Sequence, residues 1–135
     1  MNDFEIPESQ WETFCASFTH QHHGWLVGMH QLATEKLLRG EIPAQAGVLL
    51  FPDYRPLQEV REGRVEDQVD VMVTVGEGTD ETSFLIEDAL ALYNRKTGEL
   101  HQGLRIDSCN GMTTLLDFRT AAAPESLDGL ADTER

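Results

Sequence analysis

From residue 11 onward the apolar positions recur at spacings of three and four. Trp11, Phe14, Cys15, Phe18 and His22 fall in one stripe, and Glu12, Thr13, Ser17 and Thr19 fall outside it. That period predicts an amphipathic helix with one face turned to a core. Ser9 and Glu12 have the spacing of a capping box, in which each side chain satisfies an orphan amide of the first turn. Gly24 supplies the permissive residue that commonly follows a helix end. The period then changes to two. Trp25, Val27 and Met29 alternate with Leu26, Gly28 and His30, which predicts a strand with His30 on the face opposite Trp25.

Residues 33–39 fit either a short helix or the end of a long strand, and Gly40 and Pro43 break whichever forms. The short apolar run 48–51 stops at Pro52. Val69, Val71, Val73 and Val75 alternate with Asp70, Met72 and Thr74, a half-buried strand with its valines facing inward. Residues 84–86 and 89–93 give one or two further strands, and 95–99 has the composition of a hairpin turn.

The last hairpin is the best specified. Residues 102–108 and 112–118 flank Cys109-Asn110-Gly111. A two-residue Asn-Gly turn mixes polar and apolar residues on both faces. A three-residue loop with Gly111 left-handed sets Leu104 opposite Leu116 and Ile106 opposite Thr114, and gathers Leu104, Ile106, Met112, Leu116 and Phe118 on one face. The three-residue loop is the expected one. Together these segments predict an α+β fold: an N-terminal amphipathic helix packed on a strongly bent antiparallel sheet, or on a small barrel, of about six strands. One domain is expected over residues 1–120, followed by a small-residue, acidic tail over 121–135.

Charge narrows the partners. The chain has 24 acidic against 10 basic residues, a net charge of −14. Ten of the acids and two arginines lie within residues 59–88, so that stretch alone carries −8. Such a surface is repelled by phosphate backbones and anionic lipid, which argues against nucleic-acid and membrane partners and for a protein partner or self-association. The N-terminus lacks the apolar region of a signal peptide, no stretch reaches the length of a membrane span, and Cys15 and Cys109 make no disulfide framework. Cytoplasm is the expected compartment.

Two stretches carry a resemblance. The pattern Trp11-x-x-Phe14-x-x-x-Phe18-x-x-Gln21-His22-x-Gly24-Trp25-Leu26-Val27 resembles the N-terminal part of the DUF5335 proteins, a bacterial family of unknown function. The run GLRIDSCNGMTTLLDFR, residues 103–119, looks like that family's closing hairpin. The resemblance implies a small bacterial single-domain protein and brings no activity, substrate or cofactor with it. Gln21, His22, Gly24 and Trp25 match its polar-aromatic part, whereas His20, His23, His30 and His101 do not belong to it.

Four of the five histidines lie within residues 20–30, which raises the question of a metal. Metal ligands must converge. His20 and His23 share a helix face, His22 points onto the apolar stripe, and His30 belongs to the strand beyond. A helix terminus is the simpler reading, because histidines in a last turn bond free carbonyls and favour the dipole. Cys15 sits in the stripe as a small core residue. Gly76-Glu77-Gly78 lacks the lysine of a phosphate loop, and the acids at 80–81 and 87–88 do not have EF-hand spacing. No catalytic residue, metal ligand or cofactor is expected. Gln21, His22 and Trp25 stand as candidate ligand- or partner-binding residues. Two functions follow: a non-enzymatic protein-interaction or assembly module, or a small-ligand domain with a cleft near Trp25 between helix and sheet and weak hydrolytic chemistry.

Overall fold

The stripe closes as expected. A computed structural model describes residues 2–122, and in it helix α1 (Trp11–His22) buries Trp11, Cys15, Phe18 and His22. Its start differs from the expected capping box. Residues Glu8–Gln10 already wind as a 3-10 turn behind Pro7, so Ser9 lies inside a turn and Gln10 occupies the N-cap without a side-chain bond. The entry is held instead by Trp11, whose Nε1 donates to Ile6 O at 2.8 Å. At the other end Gly24 is left-handed (φ +85°), and the next strand, β2 (Leu26–Ala33), begins two residues later.

β2 is preceded in the chain by β1 (Asn2–Glu5) and followed by two short helices, α2 (Thr34–Leu38) and α3 (Pro43–Ala46). The ambiguous segment 33–39 is thus mainly helix. Then come β3 (Val48–Leu49), β4 (Arg55–Val65), β5 (Gln68–Val75), β6 (Thr82–Ile86), β7 (Ala89–Thr97), β8 (Leu100–Ser108) and β9 (Met112–Ala122). Of the tail expected over 121–135, residues 123–135 lie outside the described ones.

These nine strands form one antiparallel sheet in the order β1-β7-β8-β9-β2-β4-β5-β6, with β3 hooked onto β2. Nine replaces the expected six or so, and the sheet does not close into a barrel. The added strands are β1, β3 and β4. β1 is exposed at every position and exists because β7 offers it an edge, so no hydrophobic period announces it. β4 hides for a different reason. Leu57 and Val60 are both buried although three apart, because the register shifts between Leu57 and Glu59. That irregularity breaks the period of two.

The sharp bend lies where β2 meets β4, which pair only through Leu26 with Pro56 and Val27 with Arg55. The sheet folds over at this seam. Its two halves face each other, and α1 packs along β4. Thr19 clips the helix there: its Oγ1 accepts from Val60 N at 2.9 Å and donates to Val60 O at 3.0 Å. The core draws Val27, Met29, Leu104, Ile106, Leu116 and Phe118 from one half, Val60 and the four β5 valines from the other, and Trp11, Cys15 and Phe18 from the helix. The closing hairpin has the expected three-residue loop. Leu104 pairs with Leu116, Ile106 with Thr114, and Gly111 is left-handed (φ +80°).

Candidate functional site

The residues singled out by the histidine-rich stretch do not converge. Gln21 is exposed, whereas His22 and Trp25 are buried in the core. His22 sits in an aromatic nest, with ring centroids 4.3 Å from Phe18 and 4.7 Å from both Trp25 and Phe118. Its Nδ1 lies 2.8 Å from Phe18 O and its Nε2 lies 2.8 Å from His101 Nδ1. A nitrogen facing a carbonyl must carry the proton, so Nε2 accepts from His101 Nδ1–H. Burial drives the His22 pKa down to about 3, against the opposing bond to Phe18 O and with help from His101. This is a neutral, satisfied core histidine. His20 and His23 are exposed, and His23 bonds Gln58 across a 3.1 Å contact. Among the described residues no cluster of three or more His, Cys, Asp or Glu could hold a metal ion.

Chemistry gathers on the opposite face of the β1-β7-β8-β9-β2 half. The pairings there lay out two rows running across the strands. One row is Asp3, Arg95, Gly103, Asp117 and Gly28. The next is Glu5, Tyr93, Arg105, Leu115 and His30. Glycines therefore flank Asp117 on both sides. Gly103 is left-handed, and a Cβ there would stand 1.9 Å from Leu116 O, so only glycine lets β8 run this close to β9. Over Gly28 the Tyr54 ring comes within 3.4 Å of where a Cβ would be.

Asp117 is the hub of this face. Its Oδ1 is 3.6 Å from Arg95 Nη1, and its Oδ2 is 3.3 Å from His30 Nδ1. Burial raises the Asp117 pKa, and Arg95 and His30 beside it only partly offset the rise. The contact to His30 is at ion-pair distance but falls short of a well-formed hydrogen bond, and His30 Nδ1 is buried with no other partner. Arg95 is anchored from behind, its Nε donating to Asp3 Oδ1 at 3.0 Å. Arg105 continues the network: Nη1 donates to Asp3, Nε and Nη2 donate to Asp107, and its guanidinium lies 4.4 Å from the Tyr93 ring centroid.

A cavity of about 400 Å³ opens directly onto this hub. Gly28, His30 and Asp117 lie on its sheet side, and Leu49, Phe51 and Tyr54 line it together with Pro52 and Asp53. The wall owes its position to β3, which pairs Leu49 with His30 and Val48 with Gln31 and so brings residues 50–54 across the face. Its rim is apolar and open: Leu49 is 49% exposed and Tyr54 52%. An apolar wall with a few convergent polar groups is the ordinary composition of a binding site. The arrangement can take an apolar side chain, with a hydrogen-bond donor on it met by the polar floor. With Nδ1–H turned to the carboxylate, the other ring nitrogen of His30 is left as an acceptor.

A second groove runs between α1 and β4, and Trp25 is not among its lining residues. The hub residues were only partly visible in advance. The period of two puts His30 opposite Trp25, and the hairpin register that pairs Leu104 with Leu116 carries Gly103 across from Asp117. Nothing local announced that β2 pairs with β9, or that Tyr54 would cross Gly28. Comparison of the chain with protein-family models, with curated proteins and with solved structures finds no match.

Proposed function

We propose that this chain is a protein-interaction module, and that the cavity over the His30–Asp117 pair is the socket for an anchoring side chain of its partner. The observation that carries the reading is the socket itself: apolar walls from Leu49, Phe51 and Tyr54 around a polar floor. Its surroundings support a protein rather than a free metabolite. Leu38, Ile42, Val48, Leu49 and Tyr54 are each about half exposed or more, and all belong to the segment 38–54 that supplies the socket wall. Interfaces of this kind concentrate their energy in one or two anchors that fill a pocket, ringed by apolar contacts that exclude water. The net charge of −14 favours a basic partner, mainly through the rate of encounter. Membership of the DUF5335 family belongs with this reading as a proposal. Its support is that α1 and the β2 start match one end of the pattern and β8–β9 the other, and β2 pairs with β9.

Selection from a displayed peptide library tests the proposal, with wild-type protein as bait and Tyr54→Asp as counter-bait. The expected outcome is a set of peptides sharing one large apolar residue beside basic ones, retained by the wild type and lost on the variant. Failure to enrich any peptide, or enrichment that Tyr54→Asp leaves intact, contradicts it.

One observation favours a second reading. A histidine facing a carboxylate at 3.3 Å inside a cavity is the pairing that orients a general base for water attack. If it acts so, hydrolysis of an activated ester by wild-type protein should fall at least tenfold in His30→Gln while the melting curve holds. Equal rates remove this reading.

A further inference from the structure

Glu62 stands where a hydrophobic residue is expected. On β4 it pairs with Val71, two positions along from the pair Val60–Val73, so it projects to the same face as those buried valines, under α1. Its side chain is only 7% exposed, and its buried Oε2 has no hydrogen-bond partner. The nearest cation is Arg64, whose Nε is 3.9 Å away, beyond hydrogen-bond reach, on a side chain that is 55% exposed. Arg61, the other arginine of this groove, turns to Glu59 at 3.6 Å. A carboxylate oxygen buried without a partner is costly to a fold, and such a cost is ordinarily kept only where something satisfies it.

Glu62 lines a groove of about 690 Å³ between α1 and β4. Cys15, Ala16, Thr19 and Val60 give it an apolar strip, and Glu12, Glu59 and Glu62 line it together with Arg61 and Arg64, three acids against two bases. Cys15 is no nucleophile here: burial and the neighbouring Glu62 push its pKa up to about 12. A strip of small and aliphatic side chains thus runs beside one buried carboxylate oxygen that has no hydrogen-bond partner. Guanidinium groups are matched by two parallel oxygens, whereas a single point acceptor suits an ammonium on a long alkyl stem.

We infer that the α1–β4 groove is a lysine-binding site: the side chain of a lysine on a partner polypeptide lies along Ala16 and Val60 and delivers its ammonium to Glu62 Oε2. This site is separate from the socket on the other face and stands or falls without it. The test is titration of the 15N-labelled domain with N-acetyl-lysine methylamide, followed by amide shifts, with N-acetyl-norleucine methylamide as the uncharged control. The expected result is saturable shifts at Ala16, Thr19 and Gly63 with the lysine probe, at least tenfold weaker binding of the norleucine probe, and at least tenfold weaker lysine binding by Glu62→Gln. The norleucine arm needs no variant, so the outcome does not depend on how Glu62→Gln folds. Shifts that do not saturate, shifts scattered over the acidic surface, equal binding of the two probes, or an unaffected, folded Glu62→Gln would each overturn the assignment.

Discussion

His22 and Gly103 are the residues at which local chemistry dictates most. Burial lowers the His22 pKa from 6.5 to about 3, so between those values the unfolded chain holds a proton that the folded chain refuses. Stability is therefore complete above pH 6.5 and declines as pH falls toward 3, at up to about 1.4 kcal/mol per pH unit. Asp117 acts with the opposite sign: its pKa is raised by burial, so just above 3.8 the folded state takes up the proton first and acid favours folding. Comparing proteins isolates the histidine. Urea melts at pH 6.5 and pH 5 should show wild type losing about 2 kcal/mol more than His22→Gln; equal losses would mean that His22 is not held neutral. Glycines give a second reading at this scale. Gly103→Ala drives a Cβ into Leu116 O and should cost about 3 kcal/mol or more. Gly111→Ala meets no atom within 4 Å and bears only its left-handed φ, on the order of 1 kcal/mol. Gly63→Ala has neither problem and should be nearly silent. Thermal melts of the three variants should rank in that order, and a silent Gly103→Ala would refute the close approach of β8 to β9.

Among the elements, what was legible depended on whether a strand or helix advertised its own period. α1, β2 and β5 did, since Trp11, Cys15, Phe18 and His22 on the helix, Val27 and Met29 on β2 and the four valines of β5 are buried at the period of their own element, and the β8–β9 register followed from collecting apolar residues on one face. β4 did not, because its bulge and the inward Glu62 both contradict alternation. The hub of the candidate site was less legible still. It depends on β2 pairing with β9 and on Arg95 crossing Gly103 to reach Asp117, contacts made between segments distant in sequence. The sheet is also two-sided, which one face of the hairpin could not reveal. Leu116 is 1% exposed in the main core, and Leu115, its neighbour on the other face, is 0% exposed between His30 and Arg105. Both truncations to alanine should then cost roughly 2–5 kcal/mol, the range for buried leucines. A Leu115→Ala variant as stable as wild type in urea would show that the outer face is not packed.

At the scale of the whole molecule the bend at the β2–β4 seam divides the labour. The concave side is spent on the core with α1, which draws His22 and Trp25 inward and leaves the outer face of the β1-β7-β8-β9-β2 half to carry charge and a cavity. No helix among the described residues is long and apolar enough to cross a membrane. The acid-rich stretch 59–88 spans β4, β5 and β6 with the turns that follow them, while the socket wall comes from 49–54, so the two come from different segments of the chain. The most direct measurement of the central claim maps binding onto that geometry: amide shifts of the 15N-labelled domain on addition of the peptide that display selection enriches. A single set of saturable shifts centred on Gly28, His30, Leu49, Tyr54 and Asp117 is expected, abolished in Tyr54→Asp. Shifts centred instead on the α1–β4 groove or on the free edge of β6, with the cavity over Asp117 undisturbed, would contradict it.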